Sequence, residues 1–101
     1  MVLDEVLRMV NEIREFNGLP TLVELPQGQR FQSDACVLAR AFEGVLPNVR
    51  VGNAHVYNAT VDASGFECWD GGFDLDFPLE TFLNDFDNGS YPELVEVQSA
   101  D

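Results

Sequence analysis

The chain reads as a compact α+β domain, in which two N-terminal helices and one late helix pack on a small antiparallel sheet drawn from about residues 49–77. Three observations predict this. Apolar residues recur with a helical period in residues 2–16 and again in 79–86. The period changes to two from Val49 onward. Turn residues, "DASG" at 62–65, divide the alternating stretch and make an antiparallel return the natural connection. Nothing in the composition marks an internal boundary, so residues 1–101 are expected to form one domain with the last few residues frayed.

In residues 2–16, Val2, Leu3, Val6, Leu7, Val10, Ile13 and Phe16 form the apolar stripe, and Glu5, Arg8, Glu12 and Glu15 take the other face. Gly18 suits a left-handed stop. "LPTLVELPQGQ" then predicts an ordered loop with Leu22, Val23 and Leu25 packed beneath it. "SDACVLARAFEG" predicts a shorter helix, capped by Ser33 or Asp34, ended by Gly44, and facing Cys36, Leu38, Ala39 and Phe42 inward. Val49 and Val51 alternate. After them His55, Tyr57, Ala59 and Val61 oppose Val56, Asn58, Thr60 and Asp62, and "FECW" begins the returning strand. "FDLDF" sets Phe73, Leu75 and Phe77 on one face and Asp74 and Asp76 on the other. Pro78 opens a helix carrying Leu79, Phe82, Leu83 and Phe86, "DNG" at 87–89 ends it, and the tail is expected to dock through Tyr91 and Leu94.

Hydrophobic residues make up 46% of the 101, enough for a core. The formal charge is −13, and it is one-sided. Residues 1–50 hold seven acids and five arginines, whereas residues 51–101 hold eleven acids and no Lys or Arg. Such a surface is repelled by phosphate backbones and anionic lipid, which argues against direct contact with nucleic acid or membrane. No apolar run approaches the ~20 residues of a bilayer span. Asp4 and Glu5 stand where a signal peptide carries basic residues, so a cytoplasmic location is expected. Lysine is absent altogether, a bias consistent with a GC-rich source. Cys36 and Cys68 lack C-x-x-C spacing and are expected to be reduced thiols in or near the core, with no disulfide and no metal.

Motifs for specific chemistry are weak. From Asp85 to Glu96, acids fall at positions one, three and twelve of a calcium-loop frame, but Gly89 and Ser90 stand at five and six, where a ligand and a glycine are needed. Cys36, His55, Cys68 and Asp70 could ligate zinc only if the fold gathered them. Cys36 near a helix start and His55, the sole histidine, form a conceivable nucleophile and base. Arg30, Arg40 and Arg50 flank a loose helix-turn-helix pattern, but Pro47 interrupts the recognition helix, and Asp34 and Glu43 reduce the local charge to +1. The stretch "ECWDGGFDLDFPLETFLNDFD", residues 67–87, is more informative: it has seven acids, no basic residue, and aromatics between them. Same-face carboxylates ~6.8 Å apart on a strand repel by only ~0.6 kcal/mol in water, so the fold tolerates the arrangement with or without a function for it.

Two segments resemble a known group. "VNEIREFNGLPTLVELPQGQR" with "SDACVLARAF", and later "FLNDFDNGSYPELV", are similar to small uncharacterised proteins of actinobacteria and their bacteriophages, over residues 10–42 and 82–95. The resemblance implies an origin and assigns no catalytic residue. If the gene is phage-borne, it also implies that the partner is a host or phage protein.

The expected function is a non-catalytic interaction module without cofactor, whose acidic half meets a protein with a basic surface through Asp70, Asp74, Asp76, Asp85 and Asp87. The alternatives are a DNA mimic that inhibits a DNA-binding protein, and a small cysteine-dependent enzyme using Cys36 and His55.

Overall fold

The first helix, α1 (Val2–Phe16), buries Val6 and Val10 completely and packs Leu3, Leu7, Met9 and Ile13 at the core's margin. The computed structural model describes residues 2–52 and 54–96, so the expected fraying of the last few residues lies outside the described residues. Phe16 does not join the stripe; it is 91% exposed. The last turn of α1 is held instead by Arg14, whose guanidinium donates to the carbonyls of Pro20 (2.8 Å) and Ala41 (2.9 Å). The helix has run past the core by then, and periodicity alone cannot show where a core ends. Gly18, at φ +74°, makes the stop as expected.

In the loop that follows, Leu25 is buried and Leu22 half-buried, but Val23 is 96% exposed. The cause is local. The Asn11 side chain donates to Leu22 O (3.0 Å) and accepts from Leu22 N–H (2.7 Å), which holds Leu22 inward and turns its neighbour out.

The second helix, α2 (Val37–Ala41), is shorter than its sequence pattern, and its cap is neither Ser33 nor Asp34. Cys36 fills that place, its Sγ accepting from Ala39 N–H at 3.3 Å. Cys36, Leu38, Ala39 and Phe42 are all buried, and Val37 with them.

The sheet has three antiparallel strands in the order β1 (Val49–Val51), β2 (His55–Val61), β3 (Glu67–Asp74). Val51 pairs with Val56, and Val56 with Phe73, so these residues share the face that looks into the core. Phe73 meets Phe42 of the α2 segment edge-on, with ring centroids 5.7 Å apart. Asn58 also points inward and is satisfied, its Oδ1 accepting from Asn48 N–H at 2.8 Å. The turn at 62–65 is built on Asp62, whose carboxylate accepts from Ser64 N–H and Phe66 N–H.

The predicted alternation through Phe77 fails at its last residue. Phe73 and Leu75 turn inward and Asp74 and Asp76 outward, but the strand stops at Asp74 and Phe77 is 78% exposed. Pro78 sits in the first turn of α3 (Phe77–Asp87), so Phe77 already belongs to the helix and the period changes from 2 to 3.6 beneath it. Leu79, Phe82, Leu83 and Phe86 are buried, and α3 packs on α1. Tyr91 and Leu94 dock as expected, Leu94 buried and Tyr91 with its ring 5.1 Å from that of Phe82. Gly28 clasps this segment through bonds from Gly28 N–H to Leu94 O (2.8 Å) and from Glu96 N–H to Gly28 O (2.9 Å).

Three of the five arginines act as internal staples. Arg14 ties α1 to the α2 segment, Arg30 donates to carbonyls at the end of α3, and Arg40 pairs with Glu96. Much of the positive charge thus serves the fold's own joints, while most of the described C-terminal carboxylates stay exposed.

Candidate functional site: an acidic aromatic sheet face

The helices share one core with Val49, Val51 and Val56 on one face of the sheet; among the described residues, His55, Tyr57, Ala59 and Trp69 on the other face do not join that core. Register decides what stands on the open face. Arg50 lies opposite Tyr57, Tyr57 opposite Gly72, His55 opposite Asp74, and Ala59 opposite Trp69. The three rings converge: Tyr57 and Trp69 stack with centroids 4.4 Å apart and planes at 23°, and His55 lies 6.2 Å from Trp69 and 6.5 Å from Tyr57. Tyr57 is buried by these neighbours, while Trp69 remains 68% exposed.

This stack depends on a glycine pair. The pairing slips between Tyr57 and Ala59, opposite a bulge in β3 where Gly71 and Gly72 have φ of +76° and +121°. A Cβ on Gly72 would stand 1.9 Å from Val56 O, so only glycine closes the ladder here. Gly72 also presents no side chain beside Tyr57, and Trp69 leans into that space.

Charge frames the aromatic centre. Nδ1 of His55 lies 2.8 Å from Oδ1 of Asp74, a cross-strand pair that orients the ring. Glu67 approaches Arg50 at 3.8 Å, Asp70 is exposed on β3 beside Trp69, and the Asp74 carboxylate is almost wholly solvated. The result is a flat apolar platform, rimmed by carboxylates, with a single guanidinium at its far side.

The five predicted partner-binding carboxylates therefore divide. Asp74 flanks the platform, whereas Asp70 is exposed in the bulge of β3, where strand alternation turns it from the face that carries Trp69. Asp76 is exposed at the N-cap of α3 and makes no capping bond through its side chain. Asp85 and Asp87 lie at the other end of α3, about 15 Å along its axis at 1.5 Å per residue. Asp85 is exposed; Asp87 is half-buried and accepts from Phe31 N–H at 2.9 Å, a bond that holds Phe31 at φ +59°. Trp69 and Tyr57 were not singled out from the sequence. The signal that could have found them is the chain's one Trp next to Asp70 and a Gly-Gly pair, on a strand facing a Tyr.

The two thiols part company. Cys68 is exposed on the hairpin rather than in the core, because β3 extends past the helices and residues 61–72 are all exposed. Cys36 is sealed in the core, and its thiol is pushed up from the ordinary value by burial, with the nearby Asp87 carboxylate adding to the shift. Hydrogen bonds from Ala39 and Leu38 act the other way and do not win. The dipole of a helix of only five residues does little to oppose this rise. A cleft of about 220 Å³ beside Cys36 is lined by Phe31, Ser33, Val51, Leu83 and Asp87 among others, and His55 is not among them. Among the described residues, no group of three or more His, Cys, Asp or Glu side chains could hold a metal ion, and no helix is long and apolar enough to cross a membrane.

No family model, curated protein or solved structure matches this chain.

Proposed function

We propose that this chain is a non-catalytic protein-interaction module, and that it meets a partner with a basic surface through the open face of its sheet. The observation that carries the reading is Trp69: a large ring, two-thirds exposed, supported from below by Tyr57 and His55, on a face that also carries Glu67 and Asp74. Exposed, rigidly backed Trp and Tyr rings are the residue types that dominate interface energetics. An arginine or lysine laid on Trp69 gains a cation–π contact of ~0.5–2 kcal/mol and finds carboxylates within reach. The surrounding charge of the C-terminal half steers such a partner inward and repels an acidic one. The buried, proton-holding Cys36 and the separate engagement of His55 by Asp74 give a cysteine-dependent enzyme no support. A DNA mimic would present an exposed row of carboxylates, whereas here the centre of the face is aromatic. The resemblance to small actinobacterial and phage proteins directs the search to a host or phage partner.

The test is affinity capture from an actinobacterial host lysate with the wild-type chain and with Trp69→Ala and Asp70→Asn/Asp74→Asn side by side. A basic protein retained by the wild type, and lost from both variants, supports the reading. A protein retained equally by all three shifts the site elsewhere. Displacement of DNA from the captured protein would favour the mimic.

A further inference from the structure

The open face ends at an open edge. β3 is the outer strand on one side of the sheet, while β1, on the other side, is already engaged by the bond from Val51 N–H to Ser33 O at 2.8 Å. Ala59 N–H donates to Asn48 O on the β1 side, so Ala59 and Trp69 form a non-hydrogen-bonded pair. The alternation of an antiparallel ladder then turns the main-chain N–H and C=O of Trp69, and those of Glu67 two residues earlier, away from β2. Among the described residues, no backbone hydrogen bond from another element reaches them.

We propose that the partner contributes an extended, basic segment that adds to this edge as a fourth strand, antiparallel or parallel to β3 over Glu67–Asp70. The inference rests on the reading that the partner is basic, and it names the mode of binding. The edge is free for about four residues before the bulge at Gly71 breaks the ladder. Side chains on an added strand alternate, so every second one falls on the face that carries Trp69, within reach of Glu67. Arg or Lys at those positions meets aromatic and carboxylate together. A second copy of this chain is a poor occupant, because it would set Glu67, Asp70 and Asp74 against the same residues of its neighbour. Acidic residues and a bulge are common protections of an exposed edge against self-pairing. They leave the edge open to a strand of opposite charge.

The probe is an acetylated, amidated hexapeptide of alternating Arg and Thr, compared with its counterpart N-methylated at every residue, which has the same charge and no N–H at any residue's backbone nitrogen. Titration at low salt, followed by amide resonances and hydrogen exchange, should show at least tenfold tighter binding of the unmethylated peptide and at least tenfold slower exchange of the Glu67 and Trp69 amides. Glu67→Pro removes one outward N–H and should abolish the difference between the peptides, whereas Glu67→Gln should preserve it. Equal binding of both peptides without protected amides overturns strand addition and leaves the basic-partner reading standing. Binding of neither overturns strand addition as well, and the lysate capture then judges that reading separately. Protection of the same amides in a dimer without peptide gives the edge to a second copy and also overturns the inference.

Discussion

Trp69 lies across Tyr57 with ring centroids 4.4 Å apart, one ring exposed and the other buried beneath it. The two should respond differently to truncation. Trp69→Ala loses a stack worth ~0.5–1.5 kcal/mol and should leave the fold intact, but should weaken partner binding at least tenfold. Tyr57→Ala empties a covered site and should cost about 3 kcal/mol in stability. Urea unfolding beside a binding titration separates the two; equal binding by Trp69→Ala and wild type would remove the platform from the function.

Charge should act on capture. Replacing Asp74 and Asp76 by Asn should lower the association rate more than it raises dissociation, and the wild-type rate should fall as salt rises from about 50 to 500 mM. Fold stability should change little, since both carboxylates are exposed. Stopped-flow or surface-based kinetics decide it. A rate indifferent to salt and to both substitutions would mean that this face is only solvated.

Gly72 and Gly71 make a paired test of the bulge. Gly72→Ala drives a Cβ against Val56 O and should cost roughly 3 kcal/mol or more, with loss of the Trp69 stack visible in near-UV circular dichroism. Gly71 has open space around it, so Gly71→Ala pays only the left-handed conformation, about 1 kcal/mol. Similar, small effects at both positions would contradict the bulge.

Arg30 joins the loop before α2 to the end of α3. Its guanidinium donates to the carbonyls of Phe86, Gly89 and Ser90 and lies 4.8 Å over the Phe86 ring, at a helix terminus with no basic residue of its own. Arg30→Met should destabilise by about 2 kcal/mol, and Arg30→Lys should recover less than half of that, because an ammonium cannot reproduce the fork. Full recovery by Lys would show that charge alone matters.

The thiols should differ in reactivity and in pH response. Cys68 should react with an aromatic disulfide reagent in the native protein, and Cys36 only after unfolding. The folded state holds the Cys36 proton more tightly than the unfolded chain does. Its contribution to stability is therefore fully present below the unfolded thiol value, about 8.5, and is lost as pH rises beyond it. Denaturation midpoints measured from pH 7 to 10 should fall more steeply in wild type than in Cys36→Ala; parallel profiles would assign the loss to other groups.

The α+β class, α1, the turn at 62–65, the inward set Phe73, Leu75, Leu79, Phe82, Leu83 and Phe86, and the outward Asp74 were legible in the sequence. Each follows from a period of 3.6 or 2, or from the fixed geometry of Pro and Gly, and these act between residues close along the chain. Phe16, Val23 and Phe77 were misjudged because each lies where an element leaves the core or changes period, and periodicity carries no information about where the core stops. The platform could not be read at all. It needs the register that sets Ala59 against Trp69 and His55 against Asp74, the bulge at Gly71 and Gly72 that shifts it, and a core shared with the helices on the other face of the sheet. Those are choices among long-range pairings of nearly equal local merit. Only packing of the whole chain, which buries Val56 and Phe73 and leaves their strand neighbours outside, selects one of them.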